Sequence, residues 1–382
     1  MNIFDNSTGI IPFIRPALPP PEEWLPFLEQ SYRSRFFSNG GPCVQQLESE
    51  IGERIGSERH VVATASGTAG LVATLHAMEI RGPVIVPSFT FPATAQAVLA
   101  AGCRPVLCDV SAETWELDPR KLAMAIGRLY ERERPGAIIH VRAFGFCRDL
   151  APIEDVAFRY NIPLIVDSAA AFGGRLPNGS PAGAQGHAEV FSFHATKPFG
   201  IGEGGAVTTN ALLARKIRIA INFGMRDGDP VGRGLNGKMS EFHAAVGLAM
   251  LRRIDAQIAA RAAVANGYSA AGIEPGYQSG IGHPPWQTYP MRADDAQIAI
   301  DRAASHGVAL RRYYRPALHR SARFRDDGPF PVSDDLSDHV VCLPIYADMT
   351  DAERIRVVCR DDDETATNKI YSRPYSITYP VG

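Results

Sequence analysis

Several features that mark other classes of protein are missing from this sequence. No stretch approaches the roughly twenty apolar residues that a membrane-spanning helix needs. The first residues lack a basic segment followed by an apolar run, so we expect no signal peptide and a cytoplasmic location. The net charge of −2 provides no field that would attract nucleic acid or an anionic membrane. The sequence also has no internal repeat and no low-complexity tract.

Disulfide and metal-ligand patterns are missing as well. The six cysteines include no C-x-x-C pair and show no regular spacing. Several lie in apolar runs, as Cys108 does in RPVLCDV, which favours reduced thiols in the protein core. The ten histidines show no H-x-x-x-H pattern and no pairing with carboxylates at ligand spacing. We therefore expect neither structural disulfides nor a metal site.

What the sequence does contain is a regular alternation of strands and helices. Its 382 residues exceed what one hydrophobic core usually organises, which favours two domains. From residue 61, short apolar runs alternate with helical stretches, and this predicts an α/β fold with a mostly parallel sheet covered by helices on both faces. The predicted strands are VVATAS (61–66), PVIVPS (83–88), RPVLCDV (104–110), AIIHV (137–141) and PLIVD (163–167).

The pattern changes after the fifth strand. EVFSFHA (189–195) and AVTTN (206–210) both have strand character, with no helix between them. A long alanine-rich stretch at 240–272 predicts a single helix that bridges two domains. We expect a large domain over 1–250, including the N-terminal arm, and a smaller α+β domain over 251–382.

Polar residues at a strand-to-helix junction suggest a phosphate site. Ser66, Gly67 and Thr68 follow the first strand and open a helix. Glycine permits close backbone approach, the free N–H groups of a helix start favour an anion, and the two hydroxyls can add donors. The simpler interpretation is an ordinary helix N-cap.

Asp167 and Lys197 are the strongest candidates for chemistry. Asp167 ends the run PLIVD, where it either caps the next segment or pairs with a protonated pyridine nitrogen, as in pyridoxal phosphate (PLP). Lys197 lies between an apolar strand and a glycine-rich turn. Most lysines are solvated, whereas a desolvated lysine has a lowered pKa, can form a Schiff base and can act as a base. Ser192 can reach a cofactor phosphate or be an ordinary strand hydroxyl.

Two further motifs have competing interpretations. GIGEGG (200–205) matches the glycine pattern of dinucleotide-binding loops, but no apolar strand runs into it and a strand-like segment follows it. We interpret it as a tight turn that lets the backbone pass near the lysine. Phe91 in SFTFPAT follows a strand end, where it can stack on a flat cofactor ring or belong to the core.

Taken in order, these motifs resemble the DegT–StrS family of PLP-dependent sugar aminotransferases. That family has the fold-type-I architecture of the aspartate aminotransferase superfamily, with a large PLP-binding domain and a smaller C-terminal domain. The resemblance extends from about residue 12 to 358. It includes ATASGTAGL, VIVPSFTFPATAQAVLAAGCRPVLCDV, VDSAAAFGG, VFSFHATKPFGIGEGGAVTTN and GLNGKMSEFHAAVGLAML.

The resemblance implies a role for each matching residue. Lys197 would bind PLP covalently, Asp167 would bind the ring nitrogen and Phe91 would stack on the ring. The family usually has Gln or His where this chain has Ala170 beside the cofactor, and Arg where it has Lys238. The phosphate would be held by Gly67, Thr68 and Ser192, and by Asn236 of the neighbouring subunit in a homodimer with shared active sites, while Ser66 is counted among the cofactor-binding residues. His194, His319 and Lys238 are weaker candidates for substrate contact.

The implied reaction transfers an amino group from Glu or Gln to a keto group of a nucleotide-linked deoxysugar. A relative that dehydrates sugars has His in place of the lysine, so Lys197 favours transamination over dehydration. Ala170 leaves open a specialised branch that acts on a cyclitol or another ketone. A non-catalytic regulatory protein is a third possibility, although no helix-turn-helix with a basic face is present.

Replacing the lysine tests this assignment. We expect Lys197→Ala to abolish amino transfer and leave the fold intact, because the substitution removes both the Schiff-base amine and the proton-carrying base. Turnover assays and circular dichroism of the purified variant check the two halves of this expectation. Wild-type turnover in the variant would contradict the assignment.

Overall fold

A seven-stranded sheet forms the centre of the molecule. The computed structural model describes residues 9–56, 58–276 and 280–358. The strands are β1 (His60–Thr64), β2 (Pro83–Pro87), β3 (Arg104–Cys108), β4 (Ala137–Val141), β5 (Leu164–Asp167), β6 (Ala188–Ser192) and β7 (Gly205–Thr209). Their order is β1-β7-β6-β5-β4-β2-β3. β7 is antiparallel to both of its neighbours, whereas the other adjacent strands pair in parallel. The predicted strands and the mostly parallel sheet are confirmed.

Helices cover both faces of this sheet because its strands are apolar on both sides. In β1, Val62 packs against α3, α4 and α7, while Val61 and Ala63 face α2 and α8 on the other side. A separate cluster on that second face packs α5 and α6 against β4 and β5. The helices are α1 (Pro21–Ser34), α2 (Pro42–Ile55), α3 (Gly67–Ala77), α4 (Pro92–Ala100), α5 (Pro119–Tyr130), α6 (Ala151–Arg159), α7 (Ala211–Ala220), α8 (Glu241–Leu251) and α9 (Ile254–Ala270).

The prediction of one continuous helix over 240–272 is wrong. The chain forms α8 and α9, separated by a turn at Arg252 and Arg253. Their N–H groups donate to the carbonyls of Ala249 and Met250, three residues back instead of four. Most of α8 is buried in the large unit, whereas α9 buries only one side. Tertiary packing therefore determines where the first helix ends, and the alanine-rich pattern gives no local signal for it.

A smaller α+β unit follows the large one. After the short hairpin strands β8 (Met225–Arg226) and β9 (Asp229–Pro230), its elements are β10 (Tyr289–Arg292), α10 (Ala296–Ser305), α11 (Pro331–His339), β11 (Val340–Leu343) and α12 (Asp351–Val358). β10 and β11 pair antiparallel over a core that includes Tyr268 and Tyr289. Ile11 packs in this core and its N–H donates to the carbonyl of Gly307. The division of the chain into two domains near residue 250 stays a prediction. Ile11 falls within the predicted large domain but packs in the core of the smaller unit.

Five cysteines are free and buried, as predicted for core thiols. Burial raises the pKa of the Cys108, Cys147 and Cys342 thiols to about 12, so they stay protonated and unreactive at neutral pH. Within the described ranges, no helix combines the length and apolar composition that crossing a membrane would require. Cys359 and the last 22 residues, whose role the pattern did not predict, lie outside the described residues.

One buried carboxylate connects three helices of the large unit. Glu241, at the start of α8, accepts hydrogen bonds from the backbone N–H groups of Cys43 (2.7 Å) and Val44 (3.1 Å) in the first turn of α2. It also accepts one from the Ser31 hydroxyl of α1 at 2.8 Å. A Cβ on Gly41 would come within 2.8 Å of the carboxylate, so a larger residue there would require the carboxylate to shift. A negative charge at a helix N-terminus is favourable as well.

Removing this carboxylate should destabilise the protein. We expect Glu241→Ala to lower the free energy of unfolding by about 2–4 kcal/mol, because it leaves two buried N–H groups and a hydroxyl without their acceptor. Urea denaturation followed by circular dichroism measures the change. The matched control is Glu29→Ala, which removes an exposed ion pair with Arg33 and should cost less than about 1 kcal/mol. Equal effects of the two substitutions would contradict this account.

Candidate active site

A cavity of about 980 Å³ lies beyond the carboxyl ends of the central strands, where open parallel sheets bind ligands. Its lining comes from segments that follow β1, β2, β4, β5 and β6, and from the N-terminal segment and the smaller unit. Most of the predicted cofactor residues meet here although they are far apart in sequence. They are Ser66, Gly67, Thr68, Phe91, Asp167, Ala170, Ser192 and Lys197, together with His194.

Lys197 projects its amine into this cavity from the turn after β6. Its backbone N–H donates to the carbonyl of His194 at 2.8 Å, and its Nζ donates to Oε1 of Gln287 at 3.1 Å. Desolvation lowers the pKa of the Lys197 ammonium to about 8, against the opposing effect of the negative charge on Asp167. About a tenth of the amine is therefore unprotonated at pH 7. Gln287 was not predicted as a site residue, because it comes from a loop without a readable motif.

Asp167 ends β5 with its carboxylate buried. Burial raises the pKa of this carboxyl, while hydrogen bonds and the charge of Lys197 oppose the shift. The Thr94 hydroxyl donates to Oδ2 at 2.8 Å and the N–H of Ala169 donates to Oδ1 at 3.2 Å. These contacts fix the orientation of the carboxylate and leave it further acceptor capacity. Thr94 was not predicted either, because its only signal in the sequence is its position one helical turn after Phe91.

The start of α3 provides a site for an anion. The Ser66 side chain caps this helix by accepting the N–H of Ala69 at 3.1 Å, and its part in holding a phosphate stays a prediction. The N–H groups of Gly67 and Thr68 belong to the first turn, which precedes the intrahelical hydrogen bonds. Together with the Thr68 hydroxyl they form the donor set that suits a phosphate.

The GIGEGG segment leads into a strand, as the pattern indicated, but the turn between β6 and β7 lies before it at 195–199. The segment itself runs back beside 193–195 with a bend at Gly202 and Glu203, so its interpretation as a tight turn is wrong. Gly202 has a φ of +99°, a backbone conformation that favours glycine. A Cβ on Gly205 would lie 2.6 Å from the backbone nitrogen of Gly67, and a Cβ on Gly67 would lie 3.0 Å from the Cβ of Ser192. Glycine at these two positions lets β6, β7 and the start of α3 meet beside the cavity.

Three other predicted residues line the cavity in different ways. Phe91 is 56% exposed, so the interpretation as a core residue is wrong and its ring remains available for stacking. Ala170 is buried and presents only a methyl group. Nδ1 of His194 lies 2.8 Å from the Thr196 hydroxyl, and its Nε2 lies 3.6 Å from Glu203.

His319 does not line the cavity and is corrected to a structural residue. Its ring is buried, with Nδ1 at 2.7 Å from the Ser88 hydroxyl and Nε2 at 2.6 Å from Oδ1 of Asp334. Both ring nitrogens are therefore engaged between the end of β2 and helix α11. The family resemblance suggested this histidine as a weaker candidate for substrate contact, but the sequence does not reveal these two partners.

Asn236 and Lys238 also lie outside the lining of this cavity. Asn236 is exposed and pairs through its backbone with Asn222. Lys238 Nζ donates to Oδ1 of Asn222 at 3.0 Å and lies 4.4 Å from the ring centroid of Phe223. An outward-facing position is what a contact with a neighbouring subunit requires.

The side chains around the cavity fit PLP. A desolvated amine suits an aldehyde, a buried carboxylate suits a protonated ring nitrogen, and the donors at the start of α3 suit a phosphate. Gly67 packs closely against Ser192, and an added Cβ would disrupt this packing. Because Gly67 has no side chain, its N–H and that of Thr68 stay open to a bound group. Among the described residues no cluster of three or more His, Cys, Asp or Glu side chains could hold a metal ion.

The chain resembles known proteins over nearly its whole length. Residues 21–360 match the DegT/DnrJ/EryC1/StrS aminotransferase family. The chain is 32% identical over 366 residues to Protein Rv3402c of Mycobacterium tuberculosis (strain ATCC 25618 / H37Rv), a match that covers 91% of this chain and 88% of that protein. It is also 32% identical over 353 residues to the dTDP-4-amino-4,6-dideoxy-D-glucose transaminase of Shigella dysenteriae, covering 88% and 94% of the two chains.

A solved structure matches the fold as well. The crystal structure of DesI in the presence of its TDP-sugar product aligns with a TM-score of 0.83 and 32% sequence identity, over 91% of each chain. This chain therefore belongs to the DegT/DnrJ/EryC1/StrS aminotransferase family, whose members are PLP-dependent.

Proposed function

We propose that this protein transfers an amino group from glutamate or glutamine to a keto group of a nucleotide-linked deoxysugar, in amino-sugar biosynthesis. The observation that carries the proposal is the meeting of Lys197 and Asp167 in one cavity beside the donors of α3. The activity in the name of the Shigella relative and the TDP-sugar product in the DesI structure support a nucleotide sugar as the acceptor.

Four groups of this chain would hold PLP. Lys197 would bind its aldehyde carbon, Asp167 would pair with its ring nitrogen and Phe91 would stack on its ring. The backbone N–H groups of Gly67 and Thr68 would hold its phosphate. When bound, PLP supplies an electron sink for the carbon that carries the transferred amine.

Lys197 is the proposed nucleophile and proton carrier. With a pKa lowered to about 8, its Nζ is a competent nucleophile near neutral pH and a base that can take a proton from the substrate carbon and return it. The hydrogen bond to Oε1 of Gln287 holds the free amine in a defined position, ready either to attack as a nucleophile or to carry a proton.

Asp167 is the proposed partner of the ring nitrogen. Its carboxylate already accepts hydrogen bonds from Thr94 and from the N–H of Ala169, so it meets a bound ring in a fixed orientation. Because the group is buried, an ion pair with a protonated ring nitrogen offsets the cost of its charge. Ala170 offers only a methyl group nearby, which we propose changes the tilt of the ring.

We also propose a cytoplasmic homodimer with shared active sites. Asn236 is exposed and outside its own subunit's cavity, which is the arrangement needed to reach a neighbour's phosphate site. Lys238 would bring a positive charge to the same phosphate site. Its ammonium is a point charge, whereas the planar guanidinium of the arginine usual in the family can form two parallel hydrogen bonds. The amino donor and the cofactor would then enter a site completed by both subunits.

Release of 2-oxoglutarate tests the proposed reaction. We expect the PLP-loaded protein, supplied with glutamate and a dTDP-linked 4-keto-6-deoxysugar, to produce 2-oxoglutarate and a dTDP-amino sugar in equal amounts. A coupled dehydrogenase assay measures the first product and mass spectrometry the second. Loss of water from the sugar without 2-oxoglutarate release would instead identify a dehydratase, and activity only with a cyclitol ketone would overturn the nucleotide-sugar assignment.

The pH dependence of cofactor capture tests the state of Lys197. Only the neutral amine attacks the PLP aldehyde, so the rate of capture by the cofactor-free protein should rise with pH and level off above about 8. At pH 7 it should exceed the rate of an ordinary lysine of pKa 10.5 by about 300-fold, if the two neutral amines are equally nucleophilic. Stopped-flow absorbance follows the reaction.

Asp167→Asn provides the matched variant. Its loss of negative charge removes the interaction that raises the pKa of Lys197, so the midpoint of the rate profile should move below 8. A wild-type profile that rises only near pH 10.5 would show a solvated lysine and contradict the assignment. An unchanged midpoint in the variant would show that the two groups do not interact.

A further inference from the structure

One cation of the cavity stands apart from the other charged groups. Each of the other basic side chains that line the cavity interacts with an Asp or Glu side chain. Arg311 has no acidic partner among the residues that the structure describes. An exposed guanidinium that faces a cavity without a counter-ion is a ready site for an anionic ligand. The matched pairs are Lys197 with Asp167, Arg142 with Glu189, and His194 with Glu203.

The backbone of Arg311 is fixed. Its N–H donates to the carbonyl of Cys342 at 3.2 Å, and the N–H of Cys342 donates to its carbonyl at 2.7 Å. The guanidinium lies 5.7 Å from the ring centroid of Phe13, which is buried and lines the cavity. The ring of Tyr313 packs edge-on against Phe13 at 5.7 Å. Arg311 therefore presents its charge at an aromatic wall of the cavity, on the side formed by the N-terminal segment and the smaller unit.

The position of this charge favours one part of the substrate, on the basis of the proposed function. The α-carboxylate of an amino-acid donor is bonded to the reacting carbon, so it must lie close to the desolvated Lys197. Arg311 is exposed, as expected for a group that meets the end of a ligand remote from the chemistry. In a nucleotide-linked ketosugar the remote anion is the diphosphate. We propose that Arg311 binds the diphosphate of the nucleotide-sugar substrate.

Calorimetry with dTDP and UDP tests the proposal on the PLP-loaded protein. We expect Arg311→Gln to weaken binding of the nucleoside diphosphate by about ten- to a hundred-fold, the usual contribution of a charge-assisted contact. Arg311→Lys should weaken it less, because the charge remains while the planar fork is lost. The matched control is Arg315→Gln, which removes an exposed positive charge from the same loop without touching the cavity lining and should leave affinity unchanged.

The two half-reactions separate the possible anions. If Arg311 meets the diphosphate, Arg311→Gln raises the KM for the ketosugar and leaves the KM for glutamate unchanged. A raised glutamate KM with unchanged dTDP and UDP affinity would overturn the proposal and assign the residue to a donor carboxylate. Equal losses in the Arg315→Gln control would show a general charge effect and also overturn it.

Failure of the proposed diphosphate site can be distinguished from failure of the proposed amino-transfer reaction. Wild-type protein that binds neither dTDP nor UDP would overturn the diphosphate site. Wild-type protein that binds them through Arg311 but aminates no nucleotide ketosugar would overturn the proposed reaction and retain the site. A circular dichroism spectrum equal to that of the wild type establishes that each variant is folded.

Discussion

Burial acts in opposite directions on two charged groups that line the same cavity. Removing Asp167 and Lys197 from water raises the pKa of the carboxyl and lowers that of the amine, while their mutual attraction opposes both shifts. The balance leaves an amine near pKa 8 and a carboxylate held by Thr94 and the Ala169 N–H. A ligand with an electrophilic aldehyde and a protonated ring nitrogen satisfies the amine and the carboxylate at once, which is why the cavity suits PLP.

The fold produces this meeting through the ends of its strands. Parallel β5 and β6 deliver Asp167 and Ser192 to one edge of the sheet, and the turn before antiparallel β7 returns Lys197 to the same edge. Gly67 and Gly205 let the neighbouring backbones approach closely enough to place the start of α3 there. The smaller unit then adds groups that the large unit lacks, Gln287 at the amine among them.

Much of this arrangement could be predicted from the sequence because its signals are local. Apolar runs mark the strands, and polar residues at their ends mark the cavity edge, as at Asp167. Contacts between distant segments have no such signal. Gln287 meets Lys197 across 90 positions, and His319 finds Ser88 and Asp334 instead of the cavity. The break between α8 and α9 is set by tertiary packing that the helical pattern does not record.

The position of covalent cofactor attachment tests the account most directly. The chain has five lysines, so borohydride reduction of the PLP-loaded protein followed by peptide mass spectrometry can assign the modified one. We expect a single phosphopyridoxyl group on the peptide containing Lys197, because that amine is desolvated and lines the same cavity as Asp167. Labelling spread over the other lysines, with the Lys197 peptide unmodified, would contradict it.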